Sequence, residues 1–245
     1  RGLGDVYKRQ KLEAAISDKT KAILLNFPSN PTGGVMSKED YEKLVPIIKK
    51  HNLIVLSDEI YAELTYDTDF CSLASFDEIK DQVIIISGFS KAYAMTGWRL
   101  GYTLANETFT QAMNKIHQYI IMSAPTAAQY GAIEAMRHGD VHVQEMKESY
   151  QARRNFITRG FNRLGLPTHL PQGAFYIFPD IRSTGLTSDE FCEQLLLDQK
   201  VACVPGTAFG DAGEGFIRIS YAYSIEHIKD CLLYTSPSPR DMRRS

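Results

Sequence analysis

The run Val83-Ile84-Ile85-Ile86-Ser87-Gly88-Phe89-Ser90-Lys91-Ala92-Tyr93-Ala94-Met95-Thr96-Gly97-Trp98-Arg99-Leu100-Gly101 decides how the rest of the chain is read. Its first four residues are apolar and β-branched, the pattern of a buried strand. Lys91 therefore stands just past the C-terminal end of a strand, in a loop dense with Gly and Ser. In open α/β sheets that is where ligands bind. A lysine shielded from water there gives up its proton more readily than a solvated one. The neutral amine is a nucleophile that forms a Schiff base with an aldehyde. Arg99 offers a planar fork of donors suited to a phosphate. Ser90, with Ser87 as a second candidate, offers a hydroxyl to the same oxygens.

A lone Ser-Lys after a strand is ordinarily a solvated loop. A lysine for an aldehyde together with an arginine for a phosphate points instead to pyridoxal phosphate. The whole string resembles the cofactor-attachment signature of the class I and II aminotransferases, a Gly-aromatic-Ser-Lys followed by Gly-x-Arg-x-Gly. The resemblance implies that Lys91 is the Schiff-base lysine and that Arg99 and Ser90 anchor the phosphate. Gly88 departs from the pattern, standing where several relatives carry another phosphate-binding serine.

Composition bounds the reading from outside. The formal charge is −2, so no electrostatic case exists for nucleic acid or an anionic membrane. No apolar run is long enough to span a bilayer. The four cysteines, Cys71, Cys192, Cys203 and Cys231, show no metal-ligand spacing. In a chain this long they read as small buried hydrophobes in a reducing compartment rather than a disulfide framework, which favours the cytoplasm.

Working outward, the first clear element is a strand over Ala22 to Asn26. Phe27-Pro28-Ser29-Asn30-Pro31-Thr32-Gly33-Gly34 follows and demands a turn. It resembles the family's Asn-Pro-Thr-Gly motif, which implies that Asn30 contacts the cofactor's phenolic oxygen and the substrate carboxylate. Ser37 caps a helix with Asp40 as box partner, and Tyr41, Leu44, Val45 and Ile48 form its apolar face. Pro46 lies inside that helix and is expected to kink it. Leu53 to Ser57 reads as a second buried strand, ending in Asp58-Glu59-Ile60-Tyr61. A carboxylate there could be a metal ligand, a general base or the partner of a buried cation; no second ligand stands at metal spacing. The resemblance implies that Asp58 faces a protonated pyridine nitrogen. It also implies that Tyr61 donates to the phenolic oxygen.

Beyond Arg99, Leu100 to Ala105 reads as a strand, antiparallel by the resemblance. Helices are expected over Glu107 to Tyr119 and Ala124 to Arg137. A long one is expected over 143–164, with Met146, Tyr150, Arg153, Ile157, Phe161 and Leu164 on one stripe. Gly165 and Pro167 stop it. A smaller α+β pattern follows. It has strands over 173–178, 201–204 and 216–220, a helix capped by Thr187 with Glu190, and a last helix from Ser224 to Leu232. The apolar face of the Thr187-capped helix is read as Phe191, Leu195 and Leu196. Arg218 stands between large apolar residues, and if that face is buried it needs an anion. The resemblance implies that Arg218 grips a substrate α-carboxylate.

The fold expected is α/β: a partial large cofactor-binding domain (11–140) with a mostly parallel sheet in three α/β/α layers, then a smaller C-terminal α+β domain (141–232). Residues 1–10 and 233–245 read as foreign peptides. By resemblance the chain is the C-terminal part of an aminotransferase, with well over a hundred residues expected upstream, so that sheet edges are left bare. The activity implied is transfer of an amino group from an L-amino acid to a 2-oxo acid, in a homodimer when full length. The same constellation serves carbon–sulfur lyases and the effector domain of an aminotransferase-like transcription regulator, which stand as alternatives.

Overall fold

The computed structural model describes residues 6–235. It contains two compact units. The first comprises the chain up to Ser29 together with Gly34–Lys147; the second comprises Asn30–Gly33 and the chain from Glu148 onward. The expected foreign tail lies mostly outside the described residues. Within the expected leader a helix, α1 (Val6–Ala15), is already under way.

The first unit is built on a four-stranded sheet ordered β1 (Ala22–Asn26), β2 (Ile54–Asp58), β3 (Val83–Gly88) and β4 (Gly101–Leu104). The first three strands are parallel and β4 runs antiparallel to β3. Parallel strands need covered faces, and the sequence supplies near-continuous apolar runs for them. One cover is α2 (Lys38–Lys50). The Ser37 hydroxyl accepts from the Asp40 amide, and the capping box is complete as expected. The helix carries Pro46 and continues to Lys50. Tyr41, Leu44, Val45 and Ile48 pack with Leu25, Val55, Val83 and Ile85 of the strands, and with Leu73, Phe76 and Ile79 from two 3₁₀ turns.

The far side of this unit is different. Helix α3 (Glu107–Ile120) is amphipathic yet buries no residue. Tyr119, Ile120 and Met122 are exposed, as are Leu24 on β1 and Leu104 on β4. Helix α4 (Thr126–His138) buries Ala128 and Ala132. Gly139 alone separates it from α5 (Asp140–Arg163), the long helix that carries the chain into the second unit.

In the second unit a three-stranded antiparallel sheet is ordered β5 (Tyr176–Ile177), β7 (Ile217–Ser220), β6 (Val204–Pro205). Helices α6 (Ser188–Gln199) and α7 (Ile225–Thr235) complete it. Ile157 and Phe161 of α5 pack with Ile177, Ile181, Cys192, Ile217, Tyr221 and Ile228.

Three expectations need correction. The strands over 173–178 and 201–204 shrink to two residues each. Ala174, inside the first of these, takes a left-handed φ of 58°, which turns the backbone out of the extended region, while Lys200, φ 60°, caps the C-terminus of α6 ahead of the second. The apolar face of α6 is Phe191, Cys192 and Leu195, whereas Leu196 is 47% exposed. A 100° step per residue carries Leu196 off the line of Ser188, Cys192 and Leu195. Finally, the stripe on α5 passes over its most buried polar residue. Arg154, only 1% exposed, donates to the Pro171 carbonyl and the Asn155 side chain.

Candidate active site

In the first unit, Asp58 is the last residue of β2 and lies in register with Asn26 on β1 and Ile86 on β3. Its Oδ2 accepts from Asn26 Nδ2 at 2.8 Å and its Oδ1 from the Ile60 amide at 3.2 Å. No basic side chain pairs with it among the described residues. The carboxylate is thus oriented by neutral donors and keeps its charge available for a cationic group. The reading of the sequence missed Asn26 because it gave the residue only a strand-end role; the parallel register is what sets it beside Asp58.

Glu59, next along, is 5% exposed. Its Oε1 accepts from Ser57 and Ser72 hydroxyls, each at 3.0 Å, and from the Leu73 amide at 3.2 Å. Burial raises its pKa above the usual carboxylate value, with these hydrogen bonds opposing the shift. Glu59 thereby ties the turn after β2 to the 3₁₀ segment Leu73–Ser75.

The loop after β3 folds back on itself. The Met95 amide donates to the Phe89 carbonyl at 3.1 Å, the Ala94 amide to the Lys91 carbonyl at 3.2 Å, and the Phe89 amide to the Leu100 carbonyl at 3.3 Å. Phe89 and Met95 are buried with Ala132 of α4, and Tyr93 and Leu100 pack beside them. This frame leaves Lys91 half-buried. Its Nζ stands 5.6 Å from the Tyr61 ring centroid. Thr96 joins the two expected phosphate ligands: its hydroxyl donates to the Ser90 carbonyl at 2.8 Å, and its carbonyl accepts from Arg99 Nη1 at 2.8 Å. Arg99 takes a left-handed φ of 55°, an uncommon backbone for a non-glycine residue. Its remaining N–H groups have no partner among the described residues, as an anion-binding guanidinium requires. Gly88 faces Gly101 across the β3–β4 pair, where an added Cβ would lie 2.8 Å from the Gly101 Cα. That close approach accounts for a glycine at this position.

In the second unit, Arg218 lies on β7 opposite Val204. Its Nη1 donates to Asn30 Oδ1 at 3.0 Å. The guanidinium carbon sits 4.7 Å from the Tyr176 ring centroid and 5.0 Å from that of Phe209. Arg218 Nε is buried with no hydrogen-bond partner, and no acidic side chain pairs with this arginine among the described residues. A cation so placed calls for an anion. Asn30 is held in turn by the Asn30-Pro31-Thr32-Gly33 turn. The Gln172 and Gly173 amides both donate to the Gly33 carbonyl at 2.9 Å. Gly33 has φ +67°, and a Cβ there would collide with Pro171, so only glycine suits the position. Tyr176 and Phe209 were not singled out as site residues in the sequence. Tyr176 ends the stretch Gly173-Ala174-Phe175-Tyr176 and Phe209 lies in Pro205-Gly206-Thr207-Ala208-Phe209-Gly210, and their closure on Arg218 is tertiary.

These donor sets fit pyridoxal phosphate: an amine, a carboxylate without a cation partner, and a guanidinium with free N–H groups stand in one unit. The family profile described as "Aminotransferase class I and II" matches residues 7–232. The chain is 53% identical over 221 residues to the putative aminotransferase YugH of Bacillus subtilis, covering 90% of this chain and 57% of that one. It is 44% identical over 225 residues to the aspartate aminotransferase of Pyrococcus abyssi, covering 91% and 58%. The crystal structure of an aromatic aminotransferase from Pyrococcus horikoshii superposes with a TM-score of 0.92 at 41% identity, covering 96% of this chain and 64% of that one. The chain thus spans less than two thirds of the length of these relatives. It belongs to the class I and II aminotransferases, a family of pyridoxal-phosphate-dependent enzymes.

Proposed function

We propose that the whole protein moves an amino group from an L-amino acid to a 2-oxo acid, with Lys91 as the covalent anchor of pyridoxal phosphate. The observation that carries this reading is that one unit presents both Lys91, half-buried past the end of β3, and Asp58, a carboxylate at the end of β2 that is oriented by Asn26 and the Ile60 amide but by no cation. When bound, the cofactor supplies an aldehyde for imine exchange and an electron sink for the bond broken at the substrate Cα.

The chain's own residues do the rest. Lys91 Nζ would hold the cofactor's aldehyde carbon and, once displaced by the substrate amine, would carry the proton from the substrate Cα to the cofactor carbon. Asp58 keeps a proton on the ring nitrogen by offering a fixed negative charge. Tyr61 donates to the phenolic oxygen. Arg99 and the Ser90 hydroxyl hold the phosphate. Arg218 and Asn30 grip the α-carboxylate, and the rings of Tyr176 and Phe209 fix the plane of the guanidinium. The remaining length of the protein covers the apolar side of α3 and the two sheet edges, and two such chains form the working homodimer in the cytoplasm.

The test uses the full-length protein with pyridoxal phosphate, a panel of amino-acid donors and 2-oxoglutarate. The reading expects oxo-acid product from at least one donor, formed only when 2-oxoglutarate is present. Product formed at the same rate without that acceptor would replace amino transfer with a lyase reaction.

A further inference from the structure

We propose that Cys192 and Cys203 form a redox-active dithiol that hydrogen peroxide closes to a disulfide. Cys192 lies on the buried face of α6, and Cys203 lies in the irregular link between that helix and β6. Their Sγ atoms are 3.3 Å apart, and either can donate to the other. A disulfide places the two sulfurs at ~2.05 Å, so closure asks for little more than an ångström of movement. The link that must move runs from Lys200, in a left-handed backbone, to Cys203, and has no regular hydrogen-bonded structure of its own.

Access is also built in. Cys203 lines a cavity of about 400 Å³ together with Val204, Arg218, Ser220, His227 and Cys231. A peroxide is small enough to enter it and meets Cys203 first, while Cys192 stands behind. The thiol–thiol hydrogen bond, ahead of burial, sets the acid–base behaviour. It lowers the Cys192 pKa and, with burial, raises that of Cys203 above the usual thiol value; because the two sulfurs share one hydrogen bond, the first proton lost belongs to the pair.

The chemistry balances. The Cys203 sulfur attacks one peroxide oxygen, the O–O bond breaks, and the sulfur becomes a sulfenic acid as one water leaves. The Cys192 sulfur then attacks that sulfenic sulfur. The S–S bond forms, the S–O bond breaks, and the departing hydroxide leaves as water with the thiol proton. Two thiols and one hydrogen peroxide give one disulfide and two waters. The bond formed would tie α6 to the residue before Val204, whose strand partner is Arg218.

The experiment treats the full-length protein with hydrogen peroxide, alkylates without reduction, and maps the digest by mass spectrometry. The expected result is a peptide joining Cys192 to Cys203 that dithiothreitol separates. In Cys192→Ser, dimedone should capture a sulfenic acid on Cys203. The wild-type map stands by itself if that variant does not fold. Three results would overturn the proposal: both thiols alkylated at a dose that oxidises a free thiol in the same tube, a Cys203–Cys231 link in place of the expected one, or Cys203 oxidised beyond the sulfenic stage with no link at all.

Discussion

Lys91 and Arg218 are the two cations on which the proposed chemistry turns, and the molecule holds them in opposite ways. Lys91 sits in a loop past a strand end, in a frame made of backbone hydrogen bonds within Phe89–Leu100 and of packing under α4. Arg218 sits within a strand, and its guanidinium is held by side chains: one amide oxygen and two aromatic faces. A backbone frame tolerates exchange of the side chain it presents. A side-chain clamp does not, because the residue removed is itself part of the packing. The two sites should therefore fail differently when mutated.

The largest effect is expected at Lys91. Lys91→Ala in the full-length protein should lower kcat for amino transfer by about 10⁴-fold, the upper range for loss of a positioned base, and more if the covalent anchor is also lost. The melting temperature without cofactor should stay close to wild type, since the frame is backbone. A large loss of melting temperature would show that the lysine belongs to the packing and would erase the contrast with Arg218.

Next is the turn that carries Asp58. Glu59→Ala removes the acceptor of three buried or half-buried donors, at a cost of about 1–3 kcal/mol for each donor left unsatisfied. Chemical denaturation should show it. Glu59→Gln keeps an acceptor oxygen and removes the titration. The folded-state pKa of Glu59 is raised, so the folded chain holds this proton more tightly than the unfolded one. Its contribution to stability is full below the ordinary value of 4.5 and is lost as pH rises through the folded pKa. The difference in melting temperature should therefore move in favour of Glu59→Gln as pH rises through that window. A difference that stays flat with pH would contradict the buried, ionising carboxylate.

Arg218→Lys keeps the charge and loses the planar fork. It should raise KM for the amino acid and lower kcat/KM by roughly 10²-fold, about 2.7 kcal/mol, in line with loss of a charge-assisted bidentate contact. Phe209→Ala removes one ring from the clamp. It should raise KM about three- to fivefold with kcat nearly unchanged, the scale of one exposed cation–π contact. Phe209→Tyr should restore KM. An equal fall in kcat for both Phe209 variants would argue against a clamp that acts in binding.

The same contrast separates what the sequence discloses from what it does not. The strand-end placement of Asp58 and Lys91 was legible because apolar runs of strand length lead up to them. The capping pairs Ser37/Asp40 and Thr187/Glu190 were legible because a cap is a local matter of three residues. Asn26 was not, since its bond to Asp58 spans 32 positions and depends on the parallel register. The rings around Arg218 were not, since Tyr176, Phe209 and Arg218 come from separate elements. The Cys192–Cys203 contact was hidden for the same reason, although a spacing of 11 residues looks local. The left-handed turn at Ala174 that shortens β5 falls on a residue whose type gives no warning. Sequence pattern thus carried the backbone-held half of the chemistry further than the half held by side chains.

The most direct measurement is borohydride reduction of the full-length protein loaded with pyridoxal phosphate, followed by peptide mapping. A single pyridoxyl adduct on Lys91, absent from Lys91→Ala, is the result expected from a lysine presented by the loop after β3. An unmodified Lys91, or an adduct on another lysine, would contradict it.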